Sequence, residues 1–272
     1  MKFQIHHNEK RYLTIITLFS FMIYGIIFLC GVELILGLLQ IGAIGFGIYL
    51  FASLFFIGHL QGNAVKVGMK QFPDIYEIVE SHSKKLNLKK VPDLYILQGN
   101  GVLNAFATKF AKRNCIVLYS DVLEVAYQEG KEAVSFIIGH ELGHIKRNHV
   151  GFFKSIILLP GRLIPLVGNA YSRACEYTCD NIGYNLCPEG ALKGMLILAV
   201  GKRLYTQVNI DELPLQKKYD ALFALSFAEK FSTHPALVKR IAIVKRLNRD
   251  NLILTTPFHT AEIAINQPDA NR

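Results

Sequence analysis

The chain has 272 residues, of which 51% are hydrophobic, and a formal net charge of +9; its mean hydropathy is +0.28. That length suits one sizeable domain plus a membrane segment, and a basic but apolar composition fits a membrane protein with a basic cytoplasmic face better than a nucleic-acid binder. No zinc-finger spacing, aromatic nucleic-acid signature or dense Lys/Arg helix is present, so no nucleic-acid partner is expected. Cys30, Cys115, Cys175, Cys179 and Cys187 are odd in number and imply no disulfide framework, which favours a reducing compartment.

From residue 12 to about residue 60 the chain is almost wholly apolar, with Glu33 its one acidic or basic side chain apart from His59. A single helix of that length would reach about 70 Å, against a hydrocarbon core of about 30 Å. Two spans are predicted instead, near 12–31 and 38–58, with the turn in 31–40. A cleaved signal peptide is not expected, since the apolar stretch is too long and lacks a small-residue cleavage site. Lys2, Lys10 and Arg11 precede the first span, Lys66 and Lys70 follow the second, and the turn carries no Lys or Arg. The positive-inside rule then puts both ends in the cytoplasm, for a multi-pass protein of the cell membrane in contact with the lipid bilayer.

Residues 73–88 read as an amphipathic helix with Pro73 in its first turn. Residues 94–97 and 115–119 read as short strands. Asp121 is placed to cap a helix over 122–128, and Gly130 separates it from the next. Helices are predicted over 170–186, 188–204, 219–231 and 235–247, with a break at 211–215 marked by Pro214. After residue 251 the pattern loses periodicity and a frayed tail is expected. The organisation is a two-helix transmembrane hairpin (1–60), an α+β, mostly helical domain with a small sheet (61–250), and a tail (251–272).

The chemistry concentrates in His140-Glu141-Leu142-Gly143-His144. Residues four apart share one helix face, so His140 and His144 can hold one zinc ion, with Glu141 beside them to take a proton from the water that the metal activates. The preceding apolar residues Ala133, Val134, Phe136, Ile137 and Ile138 suit a buried helix. The alternative is a helix that happens to carry two surface histidines.

A catalytic zinc usually takes three protein ligands. His149 is a poor candidate, because the three-histidine motif needs Gly three residues after the second His and His six after it, and Arg147 and Val150 stand there. A better candidate is Glu176, four residues before Asp180 on a shared helix face. A glutamate can bind zinc, and an aspartate one turn on can accept from a ligand histidine's outer N–H. The alternative is an exposed acidic face, against which Cys175, Tyr177 and Cys179 make the segment less polar. Cys175 and Cys179 lack the second pair that a cysteine zinc site requires and read as small packing residues.

Four segments in order resemble the HtpX-like membrane zinc endopeptidases, relatives of the prenyl-protein (CAAX) endopeptidases: Asn104-Ala105-Phe106-Ala107-Thr108; the two-histidine helix; Glu176 and Asp180 preceded by Arg173; and Ser232-Thr233-His234-Pro235 followed by Arg240. The resemblance implies a gluzincin-like metallopeptidase domain binding one Zn2+ through His140, His144 and Glu176. It implies Glu141 as general base, His234 as donor to the oxyanion with Arg240 in support, and Asn104 and Ala105 beside the substrate backbone. Polypeptide substrates are implied, among them damaged or misassembled membrane proteins. Members often carry two further spans between the histidine motif and the third ligand. Here residues 150–167 are broken by Lys154, Pro160, Gly161, Arg162 and Pro165, and each apolar piece is far short of the about 20 residues a span needs. The segment either dips into the membrane interface or folds over the soluble core. A function of another class, a non-proteolytic membrane scaffold with a structural zinc site, would not need Glu141 beside its ligands.

Overall fold

A computed structural model describes residues 3–99, 104–110, 113–201, 203–213 and 222–255. The apolar N-terminal region forms α1 (His7–Leu29) and α2 (Val32–Asn63), both long and apolar enough to cross a membrane. The reversal takes only Cys30 and Gly31, at the start of the range where the turn is expected; of the residues there suited to a turn, Gly31 makes it, while Glu33, Gly37 and Gln40 lie inside α2. Gly31 makes so tight a reversal possible: its φ of 97° is a backbone conformation that side-chain-bearing residues avoid.

A four-stranded sheet follows, built from β1 (Ala64–Lys66), β2 (Asp93–Leu97), β3 (Ala105–Phe110) and β4 (Arg113–Tyr119) in the order β1-β2-β4-β3. β2 and β4 are parallel and the outer pairs antiparallel, which leaves β3 as an edge. Sequence periodicity finds β2 and β4 but not the two outer strands. β1 is three residues long, and β3 gains its register only from β4, with Ala105 opposite Leu118 and Ala107 opposite Ile116. The helix α3 (Pro73–Lys85) spans β1 to β2 as expected.

The remaining helices are α4 (Ser120–Glu129), α5 (Glu132–Lys146), α6 (Phe152–Ile157), α7 (Leu159–Arg162), α8 (Pro165–Leu186), α9 (Pro188–Val200), α10 (Leu222–Phe231) and α11 (Leu237–Thr255). Several boundaries differ from expectation for local reasons. α4 begins at Ser120, so Asp121 sits in its first turn instead of capping it. α8 begins at Pro165, a residue suited to a first turn. α9 stops at Val200, where Gly201 turns to φ 92°. α11 continues past residues 247 and 251, overriding the expected tail there. Pro214, Leu215, residues 219–221 and residues from 256 onward lie outside the described residues.

α5 is the centre of the domain, packed by α8, α9, α3 and the sheet. Gly139 and Gly143 let α8 approach closely. A Cβ on Gly139 would stand 3.1 Å from the Gly183 Cα, and one on Gly143 would stand 3.2 Å from the Cys179 Cα. The segment from α6 to α7 lies against the two apolar helices. Phe152 stacks on Tyr49 of α2 at 4.6 Å between centroids. The Tyr24 hydroxyl of α1 donates to the Ile156 carbonyl at 2.7 Å, and the Gly161 amide donates to the Ser20 hydroxyl at 3.0 Å. Phe153 and Leu163 remain 78% and 71% exposed.

Candidate metal centre

The close α5–α8 contact brings three donors together. His140 Nε2 and His144 Nε2 lie 3.2 Å apart. Glu176 of α8 places Oε2 3.5 Å from His140 Nε2 and Oε1 3.3 Å from His144 Nε2. Tetrahedral zinc with bonds of about 2.0–2.1 Å spaces its ligand atoms about 3.4 Å apart, so this donor set fits such an ion. The chemistry fits as well, because two facing imidazole lone pairs and a carboxylate need positive charge between them.

His140 is held from behind. His140 Nδ1 donates to Asp180 Oδ1 at 2.9 Å, which keeps the proton on Nδ1 and leaves Nε2 free to bind. Asp180 in turn accepts from Arg240 Nε at 2.7 Å and Nη2 at 2.5 Å. Burial opposes charge on His140, but hydrogen bonds to Asp180 and Glu176 outweigh it and raise the imidazole's pKa, favouring a positive charge at Nε2 that a metal ion would supply in place of a second proton. Burial opposes charge on Glu176 too, yet its hydrogen bonds with His140 and His144 hold it well below the carboxylate range. The site is therefore built to hold positive charge.

A cleft of about 400 Å³ is lined by the three donors together with Asn104, Ala105, Glu141, His234 and Arg240. Glu141 is buried at its floor. His234 is at its rim, with a side chain 66% exposed and Nε2 3.8 Å from Glu176 Oε1. Arg173 pins the loop that carries His234, donating to the Glu229 carbonyl at 2.6 Å and the Ser232 carbonyl at 2.7 Å. Thr233 Oγ1 sits 3.1 Å from His234 Nδ1, which leaves Nε2 facing the cleft. Asn104 precedes the edge strand and accepts the Ala105 amide on Oδ1 at 2.9 Å. Arg240 bonds to Asp180, so it reaches the donors through that carboxylate and His140.

Two features escaped the sequence reading. Gly139 and Gly143 on α5 face Gly183 and Cys179 on α8, small residues four apart on both helices, a spacing that was visible in the sequence. Glu9 is the other. It is fully buried against Arg147 and His149, 138 positions before Arg147 in the chain, and no local pattern announces it.

The family model of peptidase family M48 matches residues 69–160 and 151–248. A protein named Protease HtpX homolog from Fusobacterium nucleatum is 24% identical over 216 residues, covering 64% of this chain and 69% of its own. One of the same name from Picrophilus torridus is 29% identical over 148 residues, covering 53% of this chain and 47% of its own. Another, from Streptococcus pyogenes serotype M5, is 25% identical over 244 residues, covering 69% and 78%.

Proposed function

Because the chain belongs to peptidase family M48, a family of zinc metallopeptidases, we propose that it is a membrane-anchored endopeptidase that cleaves membrane or misfolded proteins at the cytoplasmic surface. The observation that carries this reading is the convergence of His140, His144 and Glu176 at ligand spacing, with a buried glutamate beside them. These three side chains would hold zinc, which when bound polarises the scissile carbonyl and acidifies the attacking water. Glu141 takes the proton of that water and later delivers it to the leaving amine. His234 Nε2 donates to the oxygen that becomes negative as the carbonyl carbon turns tetrahedral. Arg240 acts indirectly, by fixing Asp180 and through it the ring of His140. The free edge of β3, starting at Asn104 and Ala105, pairs with an extended substrate backbone, which asks little of the substrate's sequence.

α1 and α2 form the anchor, and residues from β1 at Ala64 through α11 the catalytic part. Lys10 and Arg11 at the N-terminal end of α1, with no Lys or Arg at the reversal, favour a cytoplasmic site. A C-terminal reporter active only outside the cytoplasm would overturn that orientation. The apolar faces of α6 and α7, continuous with both anchor helices, form the membrane side of the entrance. Charging Phe153 and Leu163 should slow cleavage of membrane substrates while leaving a soluble one unaffected.

The central test is cleavage of casein by the detergent-purified chain and by Glu141→Gln with matched zinc content. Loss of about 10²–10⁴-fold in the variant is expected for removal of a general base. Equal cleavage by both would remove Glu141 from the chemistry.

A further inference from the structure

The two ligand histidines are supported differently. His140 rests directly on a carboxylate, Asp180, from the neighbouring helix α8. His144 turns its outer nitrogen, Nδ1, to His149 Nδ1 at 3.2 Å, and His149 Nε2 lies 3.3 Å from Glu9 Oε1. A carboxylate only accepts, so His149 carries its proton on Nε2 and presents a lone pair at Nδ1. His144 must then carry its proton on Nδ1, which leaves His144 Nε2 as the lone pair facing His140 and Glu176. Along this chain the His144 and His149 N–H groups each meet one acceptor, and the Cys179 thiol, which burial keeps protonated, lies 3.7 Å from the same His149 Nδ1.

We propose that Glu9 and His149 are positioning residues for the metal site, setting the tautomer and ring orientation of His144 as Asp180 does for His140. The proposal rests on the reading of His140, His144 and Glu176 as zinc ligands. Its consequence is structural: the first apolar helix, through Glu9, supplies part of the support of the metal centre. Glu9 is fully buried on α1, three residues before the stretch where the first span was predicted. Arg147, on the turn after α5, donates to the same Oε1 at 3.1 Å from Nε and 2.9 Å from Nη2. Glu9, His149 and Cys175 also lie close enough together to hold an ion of their own. The Arg147 guanidinium already occupies Glu9 and would repel a dication there, so the cluster reads as a hydrogen-bond relay.

The test is the zinc affinity of the detergent-purified full chain, measured by competition with a chromogenic chelator. The thermal unfolding of the zinc-free protein is followed alongside. His149→Leu breaks the relay. His149→Gln keeps it, with an amide oxygen to accept from His144 and an amide N–H to donate to Glu9. Zinc affinity should fall about 10–100-fold in His149→Leu and in Glu9→Leu, the range found for partners behind metal ligands. It should stay within about threefold of the parent in His149→Gln, by the same reasoning. Arg147→Met removes the ion pair but leaves the relay, and should weaken zinc binding less than Glu9→Leu does. Unchanged affinity in His149→Leu would overturn the relay, as would equal losses in His149→Gln and His149→Leu. Equal losses in Arg147→Met and Glu9→Leu would reduce Glu9 to a helix-docking contact. Should Glu9→Leu not fold, the His149 pair decides alone. A parent that binds no zinc, or binds it equally well as His144→Ala, would remove the metal site itself and the relay with it.

Discussion

α5 and α2 are both rich in apolar residues, and the molecule uses them in opposite ways. Twelve of the 15 residues of α5 are buried, among them His140 and Glu141. Of the 32 residues of α2, only Leu60 is buried. A helix apolar on all sides and uncovered by protein is at equilibrium in lipid, whereas one enclosed by other helices can carry polar catalytic groups in a low-dielectric core. Composition alone does not separate the two cases; what surrounds each helix does.

The same substitution in the two helices gives the sharpest contrast. Ile138 is fully buried and Ile44 is 66% exposed. Ile138→Ala should destabilise the catalytic domain by about 2–5 kcal/mol, through lost burial and the cavity left behind. Ile44→Ala should leave domain unfolding unchanged within about 0.5 kcal/mol. Denaturant titration of both variants in the same detergent checks the pair, and equal losses would mean that α2 is part of the folded core. Next in size, Ile44→Lys should disfavour membrane insertion by about 3 kcal/mol. Alkaline extraction of membranes would then release a larger share of the variant, whereas an α2 lying in water would tolerate the charge.

A third effect belongs to the α5 side alone. His82 on α3 is buried and bonded to Ser135 of α5 at 2.9 Å. Burial, with Lys85 nearby, pushes its imidazole down to about 4 despite Ser135. An unfolded chain takes up this proton near pH 6.5, whereas the folded one refuses it until about pH 4. Stability from this group is therefore complete above pH 6.5 and falls as pH drops across that window, by up to about 3 kcal/mol. Thermal unfolding of the parent and of His82→Gln from pH 7.5 to 4.5 checks it; parallel curves would sink the assignment.

How much of this was legible depended on how local the signal is. The His140-Glu141-Leu142-Gly143-His144 run places two candidate ligands and a candidate base by helix geometry alone, and Glu176 with Asp180 repeats the same spacing on α8. His234 and the β3 edge needed the resemblance, since a lone histidine and a short Ala-containing strand carry little signal of their own. Glu9 was beyond reach, because its meaning depends on contacts with Arg147 and His149 more than a hundred residues away. The end of α9 was missed because one residue's backbone decides it, at Gly201.

The smallest effect lies where the two regions meet, on α1. It packs on both α8 and α7, so the helix belongs to both regions. Ser20 and Tyr24 mark the boundary. Ser20→Ala leaves the buried Gly161 amide without its acceptor, at a cost of about 1–2 kcal/mol. Tyr24→Phe removes a more exposed bond to Ile156 and should cost about 0.5–1.5 kcal/mol. Both losses should be local, read as faster protease cleavage within residues 152–163 with the unfolding of α5 and α8 little changed. If α6 and α7 were held by the catalytic domain alone, neither substitution would alter cleavage there. If instead α1 were an inseparable strut of the core, both would shift global unfolding by the full amount. A local response alone makes α1 a joint between the catalytic core and an α6–α7 segment that unfolds independently of it.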